Sequence, residues 1–240
     1  MKDASELYRA MRAAVRSDLP RAVADASSPQ RTATIEASVG STFTLDDPRL
    51  NVPTCRAVDL RWAAANLLHF FAATEEAGAL RKYNRRADQF LVDDRWIGAY
   101  GAVAVPQIEA CIQLLRRDPL SRRAVVSMGS LEYQDINRPP CWSFLHFLQQ
   151  SSHLHLLVYQ RSLNLTGVMP YDCVVLTNAL LYAAGRLGVP AGPLHWTIGS
   201  LHRPLGVTDR PPEFDVDSIV YPVEILSDPQ LCMRMLEEGL

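Results

Sequence analysis

A surplus of positive charge is missing from this chain. Its 24 Lys and Arg are outnumbered by 26 Asp and Glu, for a formal net charge of −2, whereas a protein built around a polyanion usually carries a clustered basic excess. Nucleic acid is therefore not an expected partner, and any phosphate must be met locally by a few cations. Paired cysteines are missing too. The five, at 55, 111, 141, 173 and 232, are odd in number, widely spaced and without a CxxC, so neither a disulfide framework nor a zinc motif is indicated, and reduced thiols in the cytosol fit best. No apolar run reaches the ~18 residues of a membrane span. The N-terminus, MKDASELYRAMRAAVRSDL, breaks its apolar positions with charges where a signal peptide needs a continuous stretch. A cytoplasmic protein without a membrane partner is expected. Internal repeats, low-complexity tracts and linkers long enough to separate domains are absent as well.

What is present suits a globular chain: 48% hydrophobic and 21% charged residues over 240 positions, a length at which folding buries roughly 70–75% of the extended surface. Residues 4–16 read as an amphipathic helix, the polar run from Asp25 to Thr32 as a loop, and Ile35 to Leu45 as a strand. A long apolar helical pattern at 58–82 carries Trp62, Leu67, Leu68, Phe70 and Phe71 and predicts a core helix. A second helix is predicted around 106–116 and a buried strand at 122–127. Strands follow at 142–149 and 153–160, joined by Gln149-Gln-Ser-Ser152. The clearest helix is 172–187, stopped by Gly188 and Pro190. The expectation is one mixed α/β domain over 1–240, without regular βαβ alternation.

Three segments carry chemistry: Arg122-Arg-Ala-Val-Val-Ser127, Pro139-Pro-Cys141, and Tyr159-Gln-Arg-Ser162 followed by Met169-Pro-Tyr-Asp172. Singly each has a plain reading. An isolated cysteine is usually a small buried hydrophobe, a double arginine is usually a solvated pair, and Asp172, directly before Cys173-Val-Val-Leu176, reads as a helix N-cap. Together, in this order and spacing, they resemble the thymidylate synthase family from about Ser121 to His202, and more weakly back to about Arg31. The resemblance implies a three-layer thymidylate synthase-like α/β fold. It also implies a Cys141 thiolate that adds to C6 of a pyrimidine nucleotide, making C5 enamine-like, with 5,10-methylenetetrahydrofolate as one-carbon donor. Flanking arginines would lower the Cys141 pKa. Arg161 resembles the main phosphate ligand. Arg122 and Arg123 resemble the pair that reaches the partner's phosphate across a homodimer interface, and Arg31 a fourth phosphate arginine. Gln160 and Ser162 fall beside phosphate and base, Asn164 near the folate and Tyr100 near the nucleophile. His202 falls toward the sugar, where an ordinary loop histidine fits equally.

Asp172 stands where uracil-specific members keep an asparagine. Cytosine reverses the pattern at N3 and the 4-amino group, and a carboxyl that shares a proton with N3 can serve both. Deoxycytidylate hydroxymethylases of the family carry aspartate at this place, so CMP or dCMP is the expected substrate. Elsewhere the pattern breaks. Asn66 stands for the proton-relaying glutamate, Ala87 for the folate-stacking tryptophan, Trp142 for the histidine after the nucleophile, and Pro204 for a sugar-binding tyrosine. The C-terminus lacks the apolar tail that closes over folate. A synthase must keep water from the exocyclic methylene and a hydroxymethylase must admit it, so hydroxymethylation is the expected outcome. The rivals are dUMP methylation, folate-independent C5 chemistry such as decarboxylation or exchange on the same adduct, and a nucleotide-binding homologue without turnover.

Overall fold

The computed structural model describes residues 1–25, 28–84, 91–92, 95–96, 99–129 and 139–239, with the strands at 16–36 and 91–96 described by backbone alone. Helix α1 (Ala4–Ala14) is capped by Asp3, whose carboxylate accepts from Glu6 N at 2.8 Å. Strands β1 (Arg16–Asp25) and β2 (Ser28–Leu45) then pair antiparallel. In the polar run from Asp25 to Thr32, Asp25 and residues 28–32 are thus strand where a loop was expected. Cross-strand pairing satisfies the backbone of these residues, and intrinsic turn preference yields to that pairing.

Helix α2 (Leu60–Ala72) starts at the Asp59 cap and stops at Ala73 in the left-handed region, φ 53°. The long pattern expected to 82 is therefore broken, with only a 3-10 turn at Ala79–Lys82 beyond it. Short strands β3 (Leu91–Val92) and β4 (Arg95–Trp96) pair with each other. Helix α3 (Tyr100–Arg117) begins six residues before Pro106, the residue at which the sequence places its start. Strands β5 (Val125–Ser127), β6 (Trp142–Gln150) and β7 (His153–Asn164) follow. Then come α4 (Met169–Leu187), β8 (Ala191–Pro204) and the short helices α5 (Val223–Leu226) and α6 (Pro229–Glu238).

The main sheet runs β1-β2-β8-β7-β6-β5, antiparallel except for β7 with β8. That parallel pair needs a crossover, and α4 supplies it. Helix α4 is buried on nearly every face, as a helix between layers must be. It packs on β7 and β8 on one side and on α2 and α3 on the other, and α6 covers α2. The order sheet, α4, α2 with α6 is the three-layer arrangement the family resemblance implies. The core runs through it, with Trp196, Phe71, Phe147, Leu67 and Leu68 fully buried. No helix among the described residues is long and apolar enough to cross a membrane.

Candidate active site

Cys141 lies at the entrance to β6. Its carbonyl accepts from Arg161 N at 2.8 Å and its own N–H donates to the Tyr100 hydroxyl at 2.9 Å. Two elements thus fix its backbone, β7 through the ladder and α3 through its first residue. Tyr100 reaches that point because Gly101 lets α3 approach α2 closely: a Cβ at 101 would lie 1.8 Å from the Phe70 carbonyl oxygen. The Tyr100 ring then packs on Trp142, 4.7 Å between centroids, and Phe70 closes the other side at 5.9 Å.

Arg161 folds back over the Pro-Cys segment. Its Nε donates to the Pro140 carbonyl at 3.0 Å, its Nη2 to the Pro139 carbonyl at 2.6 Å, and Nη2 stands 3.9 Å from Cys141 Sγ. The guanidinium is exposed on its remaining edge, where an anion has access. The expected lowering of the thiol pKa is not the net result. Burial pushes the Cys141 thiol up, the Arg161 charge pulls it down, the Asp172 charge pushes it up again, and a hydrogen bond from Tyr100 pulls it down. Desolvation outweighs one partly exposed arginine.

Asp172 sits in the first turn of α4, but it is not the cap. The helix begins three residues earlier, with Val168 at the N-cap position and Pro170 inside the first turn. Its carboxyl instead points into the interior, where Oδ2 accepts from Gln160 Nε2 at 2.9 Å and from Trp142 Nε1 at 3.3 Å. Gln160, fully buried, is itself held by Trp196, whose Nε1 donates to Gln160 Oε1 at 3.0 Å. Burial raises the Asp172 carboxyl to about 6, against the pull of the two donors. The Tyr100 hydroxyl, near both Cys141 and Asp172, is pushed well above its ordinary range by burial, with those two charges adding to the effect. The cluster of thiol, phenol, carboxyl and guanidinium offers a nucleophile, an anion-binding edge and a carboxyl poised to gain or lose a proton near neutrality.

The remaining sequence candidates divide. Ser162 follows Arg161 on β7, and its carbonyl accepts from Gln160 Nε2 at 3.1 Å. Asn66 is half-buried on the α2 face that carries Trp62 and Phe70, one turn from the ring that packs on Trp142. His202 sits on β8 opposite Asn164 of β7, its imidazole pKa lowered by burial. Asn164 holds local structure, since its Oδ1 accepts from Thr166 N, Thr166 Oγ1 and Gly167 N and so closes the turn into α4. Arg122 and Arg123 are exposed before β5, Arg123 paired with Asp118 at 3.6 Å, and no hydrogen bond or ion pair described joins them to Cys141. The Arg31 side chain and Ala87 lie outside the described residues. Sequence reasoning missed Trp196 and Gly101, and saw Trp142 only as a departure. Buried indole N–H groups that must find acceptors were the available signal for the tryptophans; nothing local marks Gly101.

A family model described as thymidylate synthase matches residues 22–203. That span takes in β2, the Cys141 entrance, the β7 arginine and the Asp172 turn, and it covers well over half of the sequence. With this match, and with the mixed α/β fold carrying it, the chain belongs to the thymidylate synthase family.

Proposed function

We propose that the protein transfers a one-carbon unit to C5 of a cytosine nucleotide, CMP or dCMP, and releases a 5-hydroxymethyl product. Family membership carries one-carbon transfer to pyrimidine C5. The observation that favours cytosine is the buried Asp172 carboxyl, with a pKa of about 6, beside the nucleophile. A protonated carboxyl donates to the bare N3 of cytosine, whereas an ionised one repels that lone pair. Binding of cytosine then draws a proton onto Asp172. That removes the charge which pushes the Cys141 thiol up, so recognition of the base also favours the thiolate.

In this reading Cys141 Sγ gives up its proton and bonds to C6, and the C5=C6 π electrons move to C5 as the nucleophile. Arg161 holds the phosphate with its free guanidinium edge, and Tyr100 keeps the Cys141 backbone in place. Once C5 had bonded to the donor's carbon, loss of the C5 proton would expel the donor's amine, which takes up a proton, and leave an exocyclic methylene; water would add there, the electrons would return to C5=C6 and the C6–S bond would break to regenerate Cys141. The family generally uses methylenetetrahydrofolate, which supplies a carbon at the formaldehyde oxidation level. Its chemistry fits the wall beside Asn66, where the half-buried Trp62 and Tyr171 meet edge to face at 6.4 Å and present an aromatic surface. Asn66 does not exchange protons near neutrality, so it binds and orients there.

A homodimer completes the site in this proposal, with Arg122 and Arg123 of each protomer serving the partner's phosphate. Their exposure, and that of Phe144 and Val125 on the sheet, supports it. The test is tritium release from 5-tritiated CMP or dCMP in the presence of methylenetetrahydrofolate. Release abolished in Cys141→Ala is expected, and no release with any pyrimidine nucleotide overturns the proposal. Dihydrofolate formation with dUMP instead marks ordinary methylation.

A further inference from the structure

The two hydrogen bonds described for the Asp172 carboxyl fall on the same oxygen, Oδ2, and both come from groups that cannot accept in return. An indole N–H only donates, so Trp142 Nε1 at 3.3 Å requires Oδ2 to be an acceptor. A glutamine amide has two orientations, and the Trp196 indole fixes the one at Gln160: that N–H needs Gln160 Oε1, which sends Nε2 toward Asp172 and the Ser162 carbonyl. The donor Nε2 is thus fully used, and Oδ2 receives two obligate hydrogen bonds at once. When the carboxyl is protonated, its hydrogen has no place on Oδ2.

We propose that Trp142 is a positioning residue for base selection: with Gln160 it pins Oδ2 as a permanent acceptor, so that Asp172 carries its proton on Oδ1 and reads the base through that oxygen alone. An Oδ1–H donates to cytosine N3. Uracil needs the opposite pairing, an acceptor for N3–H beside a donor for O4. Asp172 presents that side-by-side pattern only if Oδ2 is free to take the proton. Trp142 forbids it and so acts against the wrong base rather than for the right one. The inference rests on the cytosine reading above for its consequence, but not for its premise about Oδ2. The groups that face the carboxyl are Tyr100 from α3, Cys141 at the start of β6 and Cys173 on its own helix. None of them carries a positive charge that would pin the proton in Trp142's stead.

The experiment uses the full chain with Trp142→Phe, which keeps an aromatic ring against Tyr100 and Phe70, and site-specific benzothienylalanine at 142, which keeps the bicyclic shape and removes only the N–H. Isotope-edited infrared titration of the Asp172 carboxyl without nucleotide should move its midpoint up by about one pH unit in both variants. CMP and UMP affinities compared at pH 5, where the Asp172 carboxyl is protonated in wild type and variants alike and only the placement of its proton differs, should show the preference for CMP falling about tenfold. Trp142→His, which restores a ring N–H, should recover part of both effects. A midpoint unchanged in the benzothienylalanine protein overturns the pinning, since shape alone then explains Trp142. A raised midpoint with an unchanged CMP to UMP ratio overturns the selection role. Wild-type protein indifferent between CMP and UMP, and equally so as Asp172→Asn, defeats the cytosine reading itself while the nucleotide-free titration still decides the fate of Oδ2.

Discussion

Asp172 and Cys141 are tuned against each other through space, and each shift has a sign that experiment can read. The Asp172 carboxyl is raised in the folded protein from 3.8 to about 6. The folded state therefore binds its proton more tightly than the unfolded chain, and stability is lost as pH rises through that interval. Asp172→Asn should be more stable than wild type above about pH 6, by at most about 3 kcal/mol, and the difference should close below about pH 4. Chemical denaturation at pH 4 and pH 8 checks it, and an equal difference at both values contradicts the burial of an ionisable group. The same substitution removes the charge that raises the thiol, so the pH midpoint for alkylation of Cys141 should fall. Tyr100→Phe deletes both the acceptor for Cys141 N–H and a hydrogen bond that lowers the thiol, and should raise that midpoint. Peptide mapping of iodoacetamide adducts separates Cys141 from the four other free cysteines. Cys141, Arg161 and Asp172 were singled out from contiguous sequence motifs, and the fold brings the three together. The direction of the Cys141 shift was not legible in the sequence, since burial is a sum over distant segments.

At the scale of elements, the site is the meeting of two helix N-terminal turns and one strand entrance. The α3 turn brings Tyr100, the α4 turn brings Asp172, and the start of β6 brings Cys141. Gly101 controls the first of these approaches. Gly101→Ala places a methyl 1.8 Å from the Phe70 carbonyl oxygen, backbone that cannot swing aside. It should cost about 3 kcal/mol or push α3 off α2, with loss of turnover exceeding loss of nucleotide binding because Arg161 is untouched. Thermal melting with steady-state kinetics checks it, and a wild-type Tm would show that α3 can relax freely. Helix α4 and strands β6 and β7 were readable from apolar pattern and stop chemistry, and Gly188 at φ 71° ends α4 where predicted. The limits of α2 and α3 were not. Ala73 in the left-handed region ends α2 without any helix-breaking residue, and Pro106 sits inside α3. In both cases packing between helices overrides local preference.

At the scale of the molecule, the sheet exposes Phe144 and Val125 while α4 packs on β7 and β8, and the exposed Arg122 and Arg123 lie just before the edge strand β5. If two copies share their sites, Cys141→Ala protein mixed with an Arg122→Ala, Arg123→Ala double variant should regain roughly a quarter of wild-type activity by random assortment of subunits. Each variant alone should remain inactive, and no recovery after subunit exchange argues for self-contained sites. The family and the mixed α/β class were written in the linear chain, as were the identities at 141 and 172 on which the proposed chemistry rests. They follow from residue identity at fixed spacing and from apolar periodicity, both of which are local. The closed fold was needed to pair β1 with β2 and to turn Asp172 toward the interior rather than its own helix. It was needed again to show that burial outweighs Arg161 at the thiol, and that Trp142, Gln160 and Trp196 form one chain of donors. Each of these depends on groups far apart in sequence, where desolvation and the need to satisfy every buried donor act only once the layers have closed.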